Sequence, residues 1–238
     1  MAGTVLILAD SLAFHGPTRA ELLTHPLLYP NVLAGLLGRD VDCVARLGWT
    51  TRDAWWALTK DPYVYSVLLP RAGAVVLAVG GSDHLPASLP PYLREGIAYA
   101  RPAWLRRGLR TVYHRAHPYV VRAHGGRLRA LPQQVTDNYL TRCVQALRAV
   151  RPGLPIVAMV PPPYDAPYHG HVTRPHAPAV AAARSWGERL GVPMVDADVV
   201  IEPFLRRGEL NKDGMHWSWA AHEAIAQEMA ATLRTAGL

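Results

Sequence analysis

Five short apolar runs, each followed by a stretch of helical periodicity, constrain the fold more than any other feature of this chain. The runs are Thr4–Ala9, Val41–Leu47, Ala74–Gly80, Pro155–Val160 and Pro193–Asp196. They are rich in Val, Ile and Leu and lack polar alternation, as strands covered on both faces do. Helical spacing predicts Asn31–Leu37, Thr51–Leu58, Thr136–Val150, Ala177–Leu190 and Trp219–Thr235. In Thr136–Val150 the residues Tyr139, Leu140, Cys143, Val144 and Leu147 fall on one face. Strand and helix alternating in this way predict a three-layer α/β/α sandwich, flavodoxin-like, around a five-stranded parallel sheet of order 2-1-3-4-5.

The 238 residues suit one domain with room for an elaborate insertion. Half the residues are hydrophobic, 18% are charged and the mean hydropathy is +0.04, which excludes a disordered tail and a membrane bundle. Two cysteines, Cys43 and Cys143, cannot build a disulfide framework or a four-cysteine zinc site, and both are expected to be buried thiols. The histidine pairs His114/His117 and His169/His171 have no carboxylate–cysteine set beside them, so no metal is expected. The apolar run at the N-terminus stops at Asp10 with no basic segment before it, too short for a signal peptide or a membrane span. The expectation is a cytoplasmic protein.

Charge is concentrated in one place. The net charge is +7, and residues 84–134 carry nine arginines against Glu95 alone, leaving the rest of the chain about neutral. This stretch separates the third strand from its helix by far more than an ordinary loop, so it reads as a helical, Arg-rich insertion or lid within the single domain. A second irregular segment, Pro161–Pro178, is rich in Pro and His and reads as an ordered loop after the fourth strand.

The chemistry-bearing residues lie where the predicted strands end. Ser11 follows the first strand, Gly48 the second and Gly80-Gly81-Ser82-Asp83 the third. At a 2-1-3-4-5 sheet edge these emerge together around the switch point, where open α/β sheets bind ligands. Asp213-Gly-Met-His216 precedes the last helix, and its i, i+3 spacing lets the carboxylate orient the imidazole. A serine nucleophile needs such a base, and the base needs an anionic partner. Taken singly, Ser11 reads first as a cap and the glycines first as turn residues. The order of the pieces along the chain is what points to an acyl-transfer site. The surroundings of Ser11 do not match the Gly-x-Ser-x-Gly elbow of the α/β-hydrolases.

With these residues in view, the chain resembles the SGNH, or GDSL-like, serine esterases and acyltransferases. Ala9-Asp10-Ser11-Leu12 is similar to the family's Gly-Asp-Ser-Leu block, Gly48 to its lone glycine, Gly80-Gly81-Ser82-Asp83 to Gly-x-Asn-Asp, and Asp213–His216 to Asp-x-x-His. The resemblance implies Ser11 as nucleophile, His216 as base, Asp213 as its orienting acid, and an oxyanion hole from the Ser11 and Gly48 amides with Ser82. Two positions depart from the pattern: Ala9 replaces a glycine, and Ser82 stands where the family has its oxyanion Asn. Further similarity, in Leu8–Pro17, Leu28–Asn31 and the Trp217/Trp219 pair, is to members that transfer an octanoyl group from a CoA thioester to a glucosylglycerate-type acceptor. It implies octanoyl-CoA as donor substrate, an anionic sugar such as diglucosylglycerate as acceptor, and no bound cofactor.

A transferase must shield its acyl-serine from water, and Trp49, Trp55, Trp56, Trp217 and Trp219 are candidate walls for that purpose. Asp10, Trp49, Gly81, Asp83, Arg106, Arg107 and Trp217 are the candidate substrate-binding residues, the arginines because guanidinium forks suit phosphate and carboxylate. An esterase or thioesterase is the alternative within the same chemistry. Nucleic-acid binding through the arginines is the alternative of another class, but no nucleic-acid motif accompanies them.

Overall fold

The computed structural model describes residues 3–238, and its order of elements follows from the apolar runs. Strand β1 (Thr4–Ala9) leads through a 3-10 turn (Ser11–Ala13) to helix α1 (Tyr29–Leu37), β2 (Val41–Ala45) and α2 (Thr51–Lys60). A π-helical turn (Val64–Leu68) and the single turn α3 (Leu69–Arg71) feed β3 (Ala72–Ala78). Then come α4 (Pro91–Gly96), α5 (Ala103–His124), α6 (Gln133–Val150), β4 (Ile156–Met159), α7 (His176–Leu190), β5 (Met194–Val195), α8 (Ala197–Arg206) and α9 (Trp219–Thr235).

All five strands are parallel in the order β2-β1-β3-β4-β5, with β1 at the switch point between β2 and β3. Ile7 sits opposite Cys43 on one side and Val76 on the other, so β1 is wholly internal. Its side chains alternate between two hydrophobic layers. Val5, Ile7 and Ala9 join Val76, Val157, Ile225 and Met229 under α1, α8 and α9. Leu6 and Leu8 join Val75, Leu77, Leu140, Val144 and Trp186 under α2, α6 and α7. Both faces are therefore dry, which is why the runs show no polar alternation. Beside the start of β1, a Cβ on Gly3 would stand 2.5 Å from the backbone nitrogen of Gly73, so only glycine lets these two segments approach.

The strands differ from their sequence-based bounds at the ends. The β2 strand stops at Ala45 because Arg46–Gly48 turn outward, with Gly48 at φ +67°. Helix α8 was not anticipated. Asp196 ends β5 and caps α8 by accepting the amide of Val199 at 3.2 Å, and the helix buries Ala197 and Ile201. In α6 the buried face is Thr136, Leu140, Cys143, Val144 and Leu147, with Tyr139 at its half-buried margin. Both cysteines are free; Cys143 is fully buried and Cys43 intermediate. Among the described residues, no helix is long and apolar enough to cross a membrane.

Residues 84–134 form the helices α4 and α5 and return to the sheet layer at α6. Helix α5 packs on the short 3-10 turn Pro167–His169 of the loop that follows β4. The two segments that break the strand–helix rhythm thus meet above the C-terminal edge of the sheet.

Candidate active site

Ser11 is placed by the way β1 ends. Asp10 caps the 3-10 turn, accepting the amide of Leu12 at 3.0 Å, and this sets the buried Ser11 at the first position of the turn. Asp213 and His216 lie in a tight loop before α9. One carboxylate oxygen of Asp213, Oδ1, accepts the amides of Met215 (2.9 Å) and His216 (3.0 Å). The other, Oδ2, accepts from His216 Nδ1 at 2.5 Å, and His216 Nε2 faces Ser11 Oγ at 3.0 Å. Partial burial pushes the Asp213 carboxyl upward, but the imidazole and the two amides outweigh it and hold the group below the usual carboxylate range. A charged Asp213 fixes the proton on Nδ1 and leaves the Nε2 lone pair pointing at the serine hydroxyl. That is the arrangement a serine nucleophile requires.

Three further groups hold this relay. His15 stacks on His216 with ring centroids 3.7 Å apart and planes 16° apart, so the imidazole cannot tilt freely. Asn211 accepts the Asp213 amide at 3.2 Å and donates to the Gly16 carbonyl at 3.3 Å, tying the acid–base loop to the segment after Ser11. Gly214, at φ +70°, lies so close to Asp165 that a Cβ would be 1.9 Å from its carbonyl oxygen. Each acts through tertiary approach rather than through a local motif. Only Gly214, inside the Asp-x-x-His segment, gave any sequence signal.

The remaining candidates separate into those that meet Ser11 and those that do not. Gly48 and Ser82 join Ser11 and His216 in lining a cavity of about 510 Å³. The Ser82 hydroxyl donates to Asp10 Oδ2 at 3.1 Å, so its proton is directed at the carboxylate. Asp10 is therefore a buried support and not a substrate ligand. Burial pushes its carboxyl up to about 6 against the hydrogen bonds of Leu12 and Ser82 and the charge of His216. Asp83 is likewise structural: it accepts the Thr51 amide (3.0 Å), the Thr51 hydroxyl (2.6 Å) and the Thr136 hydroxyl (2.9 Å), joining α2 to α6. Burial pushes it, too, up to about 6. Gly81 faces a chamber of about 30 Å³ on another side of Ser11, beside Ser82 and His84.

Trp217, Arg106 and Arg107 were misplaced by sequence proximity. Trp217, in the segment just before α9, is fully buried against Tyr29 and His222 in the core. Trp49 lies under Arg46 and Trp56 is covered by Arg52 and Lys60; among the described residues no tryptophan lines the cavity. Neither Arg106 nor Arg107 lines it. The insertion instead contributes Arg94, Ile97, Arg110, Tyr113, His114 and His117 to the cavity wall. His117 is held between Ser88 Oγ (2.8 Å) and His169 (3.3 Å), and His169 Nδ1 reaches the Pro86 carbonyl at 3.0 Å. Burial, with neighbouring positive charge, lowers His117 to about 4, and burial lowers His169 as well.

Among the described residues, His15, Asp213 and His216 bring potential metal-ligating atoms within 4.8 Å of one another. Both nitrogens of His216 already face Ser11 and Asp213, so this set fits proton transfer better than cation binding.

A serine–histidine–aspartate relay at the switch point of a doubly wound parallel sheet is the arrangement of a serine acyl-transfer enzyme. The fold agrees with a lipase/acylhydrolase structure from Enterococcus faecalis, with TM-score 0.64 at 15% identity over 98% of this chain and 96% of that one. No family model matches the chain. Two curated relatives carry the name diglucosylglycerate octanoyltransferase. The one from Mycobacterium tuberculosis is 41% identical over 98% of this chain and 93% of its own length. The one from Mycolicibacterium hassiacum is 39% identical over 99% and 96%. The chain belongs to the diglucosylglycerate octanoyltransferase family, and it is an acyltransferase built on an SGNH scaffold.

Proposed function

We propose that the protein moves an octanoyl group from a CoA thioester to a hydroxyl of a glucosylglycerate-type acceptor by way of an ester on Ser11. His216 Nε2 takes the proton as Ser11 Oγ attacks the thioester carbonyl; the tetrahedral carbon then expels the CoA thiolate, which takes that proton. In the second half, His216 removes the proton of the acceptor hydroxyl as its oxygen attacks the acyl-serine, and returns it to Ser11 Oγ as that oxygen leaves. Asp213 stays ionised throughout and stabilises the imidazolium. The Ser11 and Gly48 amides hold the oxyanion, with Ser82 contributing less because its proton is committed to Asp10. A CoA thioester donor fits a reaction in the cytoplasm.

The observation that carries this reading is the 3.0 Å approach of His216 Nε2 to Ser11 Oγ at the wall of a cavity half built by the basic insertion. The names of the two relatives supply the acyl group and the acceptor class. The test is intact mass of the protein after octanoyl-CoA, with and without glucosylglycerate. A single octanoyl adduct that glucosylglycerate discharges, and that Ser11→Ala never forms, is the expected result. No adduct in the wild type, or discharge by water as fast as by the sugar, leaves an esterase or thioesterase instead.

A further inference from the structure

The cavity beside Ser11 has a marked charge asymmetry. Asp213 is the sole carboxylate lining it, and that group is consumed by His216. Two guanidinium groups line it as well, Arg94 of α4 and Arg110 of α5. Neither makes an ion pair or a hydrogen bond to a described residue. The insertion's one acid, Glu95, is taken by Arg52 of α2, outside the cavity. The buried histidines of the same wall, His117 and His169, are held neutral and contribute hydrogen bonds but no charge. Arg94 lines the same cavity as the buried His117 imidazole.

Two guanidinium groups that line the cavity beside Ser11 without a protein counter-ion, Arg94 half-buried and Arg110 exposed at the wall, leave their N–H forks free for charge-assisted hydrogen bonds to a bound anion. We infer that Arg94 and Arg110 form the site that binds an anionic group of a substrate during acyl transfer. The inference rests on the transferase reading for its choice of substrates, and it moves anion recognition from Arg106 and Arg107, which do not line the cavity, to the wall that faces Ser11. The anion is either the carboxylate of a glycerate acceptor or a phosphate of the CoA donor, and both suit guanidinium forks.

Equilibrium binding to Ser11→Ala protein, in which turnover is absent, separates these sources. Two matched pairs serve as probes: glucosylglycerate against glucosylglycerol, which lacks the carboxylate, and CoA against pantetheine, which lacks the phosphates. Adding Arg94→Gln and Arg110→Gln should weaken the anionic member of at least one pair by about 10- to 100-fold, the loss of one or two charge-assisted hydrogen bonds. The neutral member should bind as before, with an unchanged thermal midpoint, and Arg106→Gln with Arg107→Gln should alter neither pair. The pair that responds identifies the anion. Unchanged binding of both anionic probes, or a parallel loss of the neutral ones, overturns the site. If glucosylglycerate binds through these arginines yet is never acylated by wild-type enzyme, the site stands and the transferase reading falls. If it is acylated with the same KM by wild type and by the Arg94→Gln/Arg110→Gln enzyme with Ser11 intact, and CoA binding is unaltered, the reading stands and the site falls.

Discussion

Replacing Asp213 by asparagine changes one oxygen to an amide nitrogen, and the surrounding hydrogen bonds dictate where that nitrogen goes. Two backbone donors, the amides of Met215 and His216, claim Oδ1 at 2.9 and 3.0 Å. The side-chain carbonyl of asparagine must answer them, so its NH2 takes the position that faces His216 Nδ1 at 2.5 Å. Two N–H donors cannot face each other there. The imidazole must move its proton to Nε2, and Nε2–H then meets Ser11 Oγ, 3.0 Å away, as a donor and no longer as a base. Locking the wrong tautomer in this way costs a serine enzyme about 10⁴-fold in kcat, or about 5.5 kcal/mol of barrier. Folding should suffer little, since the side chain is more than a third exposed and the packing volume is kept. The assay is single-turnover acylation by octanoyl-CoA, followed by intact mass, alongside a thermal melt. Asp213→Ala provides the contrast: with no amide to lock the ring, it should lose less than Asp213→Asn. An Asp213→Asn enzyme within tenfold of wild type would refute the argument. Asp198 is not free to take the place of Asp213, being held by Arg184 at 3.1 Å and His176 at 3.4 Å.

Ser82→Ala should lower kcat by less than the roughly 100- to 1000-fold of a lost oxyanion donor, since the hydroxyl donates to Asp10; a loss matching Ser11→Ala, by the same acylation assay, would contradict that. Gly214→Ala should depress both the thermal midpoint and acylation, because a Cβ 1.9 Å from the Asp165 carbonyl at φ +70° must push the Asp213 loop out of place; a wild-type melt and rate would show the loop to be plastic. Stability should fall as pH drops from 6.5 toward 4. His84, His117 and His222 are lowered by burial to about 3, 4 and 4, so they stay neutral when folded but bind protons when unfolded. Asp10 and Asp83, raised by burial to about 6, act in the opposite sense below pH 6. At pH 5 the unfolded chain gains three protons on these histidines and the folded chain holds two on these aspartates, leaving a slope of about 1.4 kcal/mol per pH unit. Urea midpoints that stay flat or rise between pH 6.5 and 5 would be inconsistent with buried neutral histidines.

The parallel sheet was legible because strands covered on both faces leave uninterrupted apolar runs. The same logic weakened where elements are short. Strand β5 is two residues long, and α8, interrupted by Pro203, was hidden behind the Asp196 that caps it. The relay was legible because its parts are local motifs: a cap and serine after β1, and a carboxylate three residues before an imidazole. What supports the relay was not legible, because His15, Asn211 and Asp165 reach it through contacts that sequence spacing does not encode.

The errors share one cause, which is treating nearness along the chain as nearness in space. Trp217 adjoins the catalytic His216, yet in the loop before α9 one faces the core and the other the cavity. Arg106 and Arg107 lie in the most basic stretch of α5, yet Arg110 reaches the cavity and they do not. The 3.6-residue period puts Arg106, Arg110, Tyr113 and His117 on one face of α5, and the cavity ends one turn short of Arg106. The insertion was therefore readable as a source of positive charge; the helical period narrows the choice to the face of Arg106 and Arg110, and the end of the cavity selects Arg110. The exposed arginines off that stripe, Arg107 and Arg115, should be freely exchangeable for lysine without change in acylation rate or acceptor KM; a KM shift on such an exchange would mean that the acceptor extends beyond the cavity onto the outer face of α5.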